Sequence, residues 1–309
     1  MQNQKIIAVV GPTASGKSDL AVNIALFIKK NAKRLGVNGA EIISADSRQI
    51  YKWLDIGSNK ITAKEMRGIP HYLLSIASPK INFSAARYQR LAVKAIKNIT
   101  KNNKIPIICG GTGLYIDSVI YGIKFPETKP DLKLRKKLER METKKLFELL
   151  QKKDKNRSLS IDPHNRRRLI RALEINFSTG RPVSALKKEL QFNALWLGLS
   201  ADKNILKGKL AIRLDKRLKK GIVPEVNNLH KKHGLSWKRL ESFGLEYKFV
   251  AQFLQNKISK EEMKEKIINE SAKYAKRQIT WFKRNSQIHW IEGKQKALDL
   301  VESFLRVSY

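Results

Sequence analysis

Gly11-Pro-Thr-Ala-Ser-Gly-Lys-Ser18 fits the phosphate-loop pattern G-x-x-x-x-G-K-[ST] at every specified position. The β-rich apolar run Ile6-Ile-Ala-Val-Val10 precedes it. Leu20, Ala21, Ile24, Ala25 and Ile28 follow it at helical spacing. Strand, loop and helix in that order turn a bare pattern into a phosphate site. The glycines let backbone approach an anion closely, and N–H groups of the loop and helix start point at it. Gly11, Pro12, Thr13, Ala14, Ser15, Gly16, Lys17 and Ser18 are therefore the expected phosphate cradle. Lys17 adds a cation, and the Ser18 hydroxyl is placed to reach a Mg²⁺. The loop announces a phosphate ligand without saying which one.

The rest of the chain supplies further strand ends. Ile42-Ile43 reads as a short buried strand with Asp46 just beyond it. Ligands of open α/β sheets sit outside the carboxyl ends of the strands, so Asp46 and the phosphate loop belong to one edge. A carboxylate there can act through a metal, take a proton, or simply cap the next turn. Asp55-Ile-Gly57 is a turn signal, and Ile69–Leu74 starts another strand. Ser84 caps a helix that runs through Tyr88, Leu91, Ala95 and Ile96. The strand Lys104–Cys109 ends in Gly110-Gly111-Thr112-Gly113, where a nucleotide hydrolase would place an acid for Mg²⁺. That argues against a simple nucleotide hydrolase. A P-loop kinase acting on a small substrate and a non-catalytic RNA-binding protein remain as the competing readings.

Charge points to the partner. The chain holds 63 Lys+Arg against 27 Asp+Glu, a formal net charge of +36. General lysine enrichment is the competing reading of that total, but residues 129–171 concentrate 16 Lys+Arg against 6 Asp+Glu. A local excess of this kind suits a polyanion, with nucleic acid first among candidates. Pro126 and Pro130 bracket a break, and residues 131–153 read as one amphipathic basic helix with a stripe from Leu134 to Leu150. Arg166-Arg-Arg-Leu-Ile-Arg171 opens the next helix, which ends at Gly180-Arg-Pro182. Strand character returns at Ala194–Leu199. The expected organisation is thus an α/β, P-loop NTPase-like parallel sheet core flanked by helices, with an inserted all-helical domain. The core takes 1–125 and 193–309, and the insertion 126–192. His71 reads as structural, and His230 with His233 as a solvated pair without a metal partner. A capping box at Ser259–Glu262 starts a long helix through Met263, Ile267, Tyr274 and Phe282. One cysteine, Cys109, excludes an internal disulfide and a multi-cysteine zinc site. No apolar run approaches the ~18 residues of a membrane span, and the first five residues are polar. A cytoplasmic monomer without membrane contact is expected.

Five motifs in order resemble the tRNA dimethylallyltransferase (tRNA isopentenyltransferase) family, bacterial type without a zinc finger. They are Gly11–Ser18, Ile43–Tyr51 with Asp55–Gly57, Gly110–Tyr115, Arg168–Glu174 with Thr179–Pro182, and Tyr274–Phe282. The resemblance covers nearly the whole chain. It implies transfer of a dimethylallyl group from dimethylallyl diphosphate to the exocyclic amine of the adenosine immediately 3′ of the tRNA anticodon. It implies Asp46 as the base, with Lys17, Ser18 and Arg213 acting on the leaving diphosphate and Mg²⁺ as cofactor. Arg213 is matched eight residues before Gly221; Asp215 fits that motif, and Arg217 stands where the family usually has Met. By the same matching tRNA is touched by Asp46, Ser47, Arg48, Gln49, Thr112, Arg135, Arg167, Arg168, Leu169, Ile170 and Arg171. Ser242, Phe243, Gly244, Leu245 and Glu246 complete that set, although the Gly244-Leu-Glu-Tyr247 wording departs from the Gly-Tyr-basic pattern of many bacterial members.

Overall fold

The computed structural model describes residues 4–126, 131–183, 189–200 and 203–306. Pro130, one end of the expected break, lies outside them. Six strands form one sheet: β1 (Lys5–Val10), β2 (Ala40–Ser44), β3 (His71–Tyr72), β4 (Ile105–Gly110), β5 (Asn193–Leu199) and β6 (Ile288–Ile291). Their order is β3-β2-β4-β1-β5-β6, and every pairing is parallel. Parallel sheets are buried on both faces, which is why the central strands are unbroken apolar runs.

Side-chain alternation along β1 divides the interior. Ile6, Ala8 and Val10 face one core layer, while Ile7 and Val9 face the other. The helices Lys17–Lys30 and Lys294–Arg306 cover the second layer through Leu20, Ile24, Ile28, Ala297 and Val301. The helix Ala85–Lys101 covers the first with Tyr88, Ala92, Ala95, Ile96 and Ile99. Its N-cap is Ser84, whose side chain accepts from the Arg87 N–H. Each fully buried Ile or Val in these layers contributes about 1.5–3 kcal/mol relative to exposure. All six strands therefore end their carboxyl sides on one fixed edge, which holds Gly11, Ala45 and Gly111.

The chain divides into two compact units, Met1–Gly122 with Leu190–Tyr309, and Ile123–Glu189. Phe192 is buried in the first unit's core. The second unit is helical: Leu132–Arg140, Thr143–Lys153, Lys155–Ser160 and Arg166–Thr179. Asp131, Asp154 and Asn165 cap three of these by accepting backbone N–H bonds. The single helix expected over 131–153 is in fact two. Met141 and Glu142 are extended between them. A straight helix of that length would run about 34 Å. The helix Arg166–Thr179 beneath it spans only about 21 Å. The break lets Leu138, Leu146 and Leu150 pack on Leu169 and Leu173 in one small core. With no Gly or Pro at the break, periodicity alone reads through it.

The histidines also differ from the solvated pair expected. His230 Nδ1 donates to the Leu235 carbonyl at 2.8 Å, and the ring stacks on Trp237. His233 stacks on Trp53. His71 is structural, with Nδ1 2.8 Å from the Ile69 carbonyl.

Candidate active site

A cavity of about 650 Å³ opens in the first unit at the carboxyl edge of the sheet. Thr13, Lys17, Ser18, Asp46, Arg48, Gln49, Arg213, Arg217, Tyr274 and Gln278 line it, with apolar walls from Leu210, Leu214, Phe243, Phe249, Ile267 and Ile268.

The loop after β1 forms the floor. Ala14 (φ 64) and Gly16 (φ 85) are both left-handed. Alternating hand turns successive N–H groups toward one point, a geometry that receives anions. Gly16 suits its position because it has no Cβ to strain, and it opens the helix Lys17–Lys30 without a side-chain cap. The Ser15 hydroxyl is buried and has no partner among the described residues. Lys17 Nζ donates to the Pro12 carbonyl at 3.0 Å. Burial holds the Lys17 ammonium below its ordinary pKa; Arg213 pushes the same way, and Asp46 opposes both.

Arg213 and Arg217 come from the helix Lys203–Lys220, one turn apart on the same face. Arg213 Nη1 donates to Thr13 Oγ1 at 2.6 Å. Its Nε is buried and without a partner among the described residues. Burial lowers the Arg213 pKa and Asp46 raises it. Arg217 pairs with Glu246, and both side chains are nearly sealed from solvent, at 7% and 9% exposure. Burial and the like charge of Arg213 hold the Arg217 guanidinium well below its ordinary pKa. Burial partly desolvates these cations, so a bound diphosphate would relieve a cost already built into the fold.

Asp46 is half-buried beyond β2. Its Oδ1 accepts from the N–H groups of Arg48 (2.8 Å) and Gln49 (3.3 Å). One oxygen of the carboxylate therefore caps the turn, the third of the roles considered for it, and the residue also lines the cleft with Lys17 and Arg213. The loop after β4 completes the wall. Thr112 Oγ1 accepts from the Ser47 N–H at 3.1 Å, and Thr112 N donates to the Ala45 carbonyl. Gly111 admits close approach: a Cβ there would stand 2.1 Å from Gln278 Nε2.

Gln278 escaped the sequence reading as a site residue. Its Oε1 accepts from Thr13 N at 2.9 Å and its Nε2 donates to the Gly111 carbonyl at 2.9 Å, bracing the β1 loop against the β4 loop. Tyr274 lies one turn earlier on the helix Lys260–Phe282. Its hydroxyl pKa is raised, first by burial and then by Asp46. The available signal was the i, i+4 spacing of Tyr274 and Gln278 on that helix. Glu225 was missed entirely. Its carboxylate accepts from Asp55 N, Ile56 N, Gly57 N and the Tyr247 hydroxyl, fixing the loop whose residues Gly57–Asn59 line the cleft.

The remaining expected contacts divide by exposure. Arg48 Nε donates to the Phe243 carbonyl at 2.6 Å. Phe243 itself is buried under Arg48 and Arg239. Ser242 Oγ donates to the Arg239 carbonyl. Gly244 and Leu245 have positive φ at the turn into the helix Leu245–Leu254. Glu246 is occupied by Arg217. In the second unit Arg167 and Arg168 are exposed. Arg135 grips the buried Glu174 through Nε and Nη2 at 2.7 and 2.6 Å, and Arg171 reaches the same carboxylate. Leu169 and Ile170 point into that unit's core, so their side chains are not available to a ligand.

Among the described residues no group of three His, Cys, Asp or Glu side chains converges. The Ser18 hydroxyl and the Asp46 carboxylate are hard oxygen donors that both line the cleft. Such a sparse oxygen set suits Mg²⁺, which draws most of its ligands from phosphate and water.

Known proteins resemble this chain over most of its length. The family model described as IPP transferase matches residues 49–285. A tRNA dimethylallyltransferase of Caldanaerobacter subterraneus subsp. tengcongensis is 40% identical over 301 residues, covering 93% of this chain and 91% of the relative. A Staphylococcus epidermidis protein of the same description is 38% identical, covering 96% and 89%. Among solved structures, the tRNA isopentenylpyrophosphate transferase of Bacillus halodurans superposes with TM-score 0.70 at 32% identity, over 98% of this chain and 96% of that one. A eukaryotic dimethylallyltransferase acting on tRNA superposes with TM-score 0.74 at 27% identity, over 91% and 70%.

Proposed function

This chain belongs to the IPP transferase family, and from that premise we propose that it transfers a dimethylallyl group from dimethylallyl diphosphate to tRNA. The acceptor is the exocyclic amine of the adenosine immediately 3′ of the anticodon. One observation supports this reading above others: Asp46 shares a cleft wall with the partly desolvated cations Lys17 and Arg213, over a loop shaped for an anion.

The residues divide the work as follows. The loop N–H groups, Lys17 and Arg213 hold the diphosphate and stabilise the charge that grows as it leaves. Mg²⁺, held by Ser18 and the phosphate oxygens, supplies further charge neutralisation when bound. Leu210, Leu214, Phe249 and Ile267 offer the apolar wall that the five-carbon tail needs. The amine nitrogen bonds to the allylic carbon, the carbon–oxygen bond breaks, and diphosphate departs with the electron pair. An adenine amine is a weak nucleophile because its lone pair is delocalised. Asp46 takes the proton released as the new bond forms. The adenine has to leave its stack to enter such a cleft. No helix among the described residues is long and apolar enough to cross a membrane.

A transfer assay with tRNA, Mg²⁺ and dimethylallyl diphosphate, and no nucleotide, tests the reading. Diphosphate release should match modified adenosine one for one. Strict dependence on ATP, or tRNA-stimulated release of phosphate from ATP, would favour a kinase or ATPase instead.

The helical unit Ile123–Glu189 is the proposed grip on the anticodon stem-loop, through its basic face. Arg167 and Arg168 are its exposed arginines at the start of a helix. Replacing both with Gln should weaken tRNA binding and lower the slope of log affinity against log salt by about 0.7–0.9 per lost phosphate contact. Gel-retardation titrations at several salt concentrations measure the slope, and an unchanged slope makes these arginines a solvated face.

A further inference from the structure

Outside the cleft, the loop that joins two of its walls presents an aromatic ring to solvent. Trp53 is 42% exposed. Its indole lies nearly parallel to the His233 imidazole, with centroids 3.9 Å apart and planes 13° apart. We propose that Trp53, backed by His233, is a stacking platform for an unpaired base of the tRNA, separate from the cleft that takes the reacting adenine. This inference rests on the proposed tRNA substrate.

Four features of the loop support it. First, Trp53 is held at φ 63, a left-handed conformation that is rare for a bulky side chain. The surroundings impose it: Lys52 N donates to the Ala77 carbonyl at 2.9 Å, and Glu225 fixes the N–H groups of Asp55, Ile56 and Gly57. Backbone held in a sparse region by its neighbours concentrates at working sites. Second, the ring is rigidly mounted. His233 lies on the segment braced by the His230–Leu235 hydrogen bond and the His230–Trp237 stack.

Third, the surroundings are basic. Lys52, Lys231 and Lys232 are exposed chain neighbours, and Lys80 Nζ lies 3.9 Å from where a Cβ on Gly234 would stand. The nearby acids are occupied, Asp55 by Lys60 at 2.6 Å and Glu225 by backbone donors. Fourth, the distance is short. Gln49 and Gly57 line the cleft, and Trp53 is four residues from each. Four extended residues span at most about 14 Å. A loop whose one base enters the cleft has further unstacked bases within that reach. An aromatic face among lysines suits such a base whatever its identity, because every base has a π-face.

The test compares Trp53→Gly and Trp53→Phe in tRNA binding across a salt series. Glycine removes the ring while accepting the left-handed backbone. Loss of one base–aromatic stack should weaken tRNA binding roughly 5- to 150-fold, and phenylalanine should recover most of it. The salt slope should stay as in the wild type, because no phosphate contact is lost. In parallel, wild-type protein is photo-crosslinked to tRNA carrying 4-thiouridine in the anticodon loop, and a crosslink on the Trp53 peptide is expected. Unchanged affinity in Trp53→Gly overturns the proposal and leaves the ring to a protein partner. A flattened slope, or no crosslink at Trp53, overturns it as well. Intact dimethylallyl transfer with unchanged Trp53→Gly affinity defeats this inference alone; a wild-type protein that binds no tRNA defeats the functional reading with it.

Discussion

Asp46→Asn should lower turnover by at least about 10²-fold while leaving tRNA affinity nearly unchanged. The geometry makes asparagine the informative replacement. Oδ1 of Asp46 caps the turn by accepting from Arg48 N and Gln49 N, and the Asn carbonyl oxygen can keep both bonds. The second oxygen becomes an amide NH₂, which cannot take a proton from the acceptor amine. The turn that carries Ser47, Arg48 and Gln49 along the cleft is thereby preserved, and only basicity is lost. Asp46→Ala, by contrast, removes the cap too and should weaken tRNA binding as well as turnover. A second readout separates the base from a mere charge partner. Asp46 supports the charged forms of Lys17 and Arg213, yet its own negative charge repels a diphosphate. Neutralising it should therefore leave the KM for dimethylallyl diphosphate unchanged or lower. Steady-state kinetics in each substrate measure all three quantities. Near-normal turnover in the Asn variant would leave Asp46 with its capping role only.

The sheet edge was legible in the sequence because its parts are local. A phosphate loop between an apolar run and a periodic helix declares strand, turn and helix within about 25 residues. Parallel strands buried on both faces appear as unbroken apolar runs. The strand ends then put Asp46 and Thr112 beside the loop without any long-range inference. What the sequence hid depends on distant partners. Gln278 looks like any polar residue on a long helix until its side chain is seen to bridge Thr13 and Gly111. Glu225 gains meaning only from three N–H groups some 170 positions away. The break at Met141–Glu142 follows from the size of the core beneath it, which no local pattern encodes. Trp53 and His233 are far apart in the chain, and each alone reads as incidental. Leu169 and Ile170 show the converse: matching a motif residue by residue carries over core positions together with those that face a ligand.

Arg217→Met should destabilise the fold by about 3–5 kcal/mol, the usual cost of stranding a buried charge. The partner left behind is Glu246. With Arg217 removed, its carboxylate stays buried beside Tyr247 and under the helix Lys203–Lys220, with no other cation paired to it among the described residues. Methionine is close in length and fills the space, so the loss measures the charge and not a cavity. Replacing both partners, Arg217→Met with Glu246→Leu, should recover most of the stability, because two apolar side chains of similar volume carry no desolvation cost. Urea unfolding of the wild type, the two single variants and the double variant gives the coupling energy, provided the m-values agree. Singles that each cost less than about 1 kcal/mol would mean that water reaches the pair and solvates the survivor. The consequence for chemistry follows from position. Arg217 sits one turn from Arg213, whose like charge adds to burial in lowering the Arg217 pKa, while Glu246 is the carboxylate in direct contact with Arg217. The double variant should therefore bind dimethylallyl diphosphate with Lys17, the loop N–H groups and Arg213 in place, and its KM reports how much of the anion's hold belongs to the second arginine.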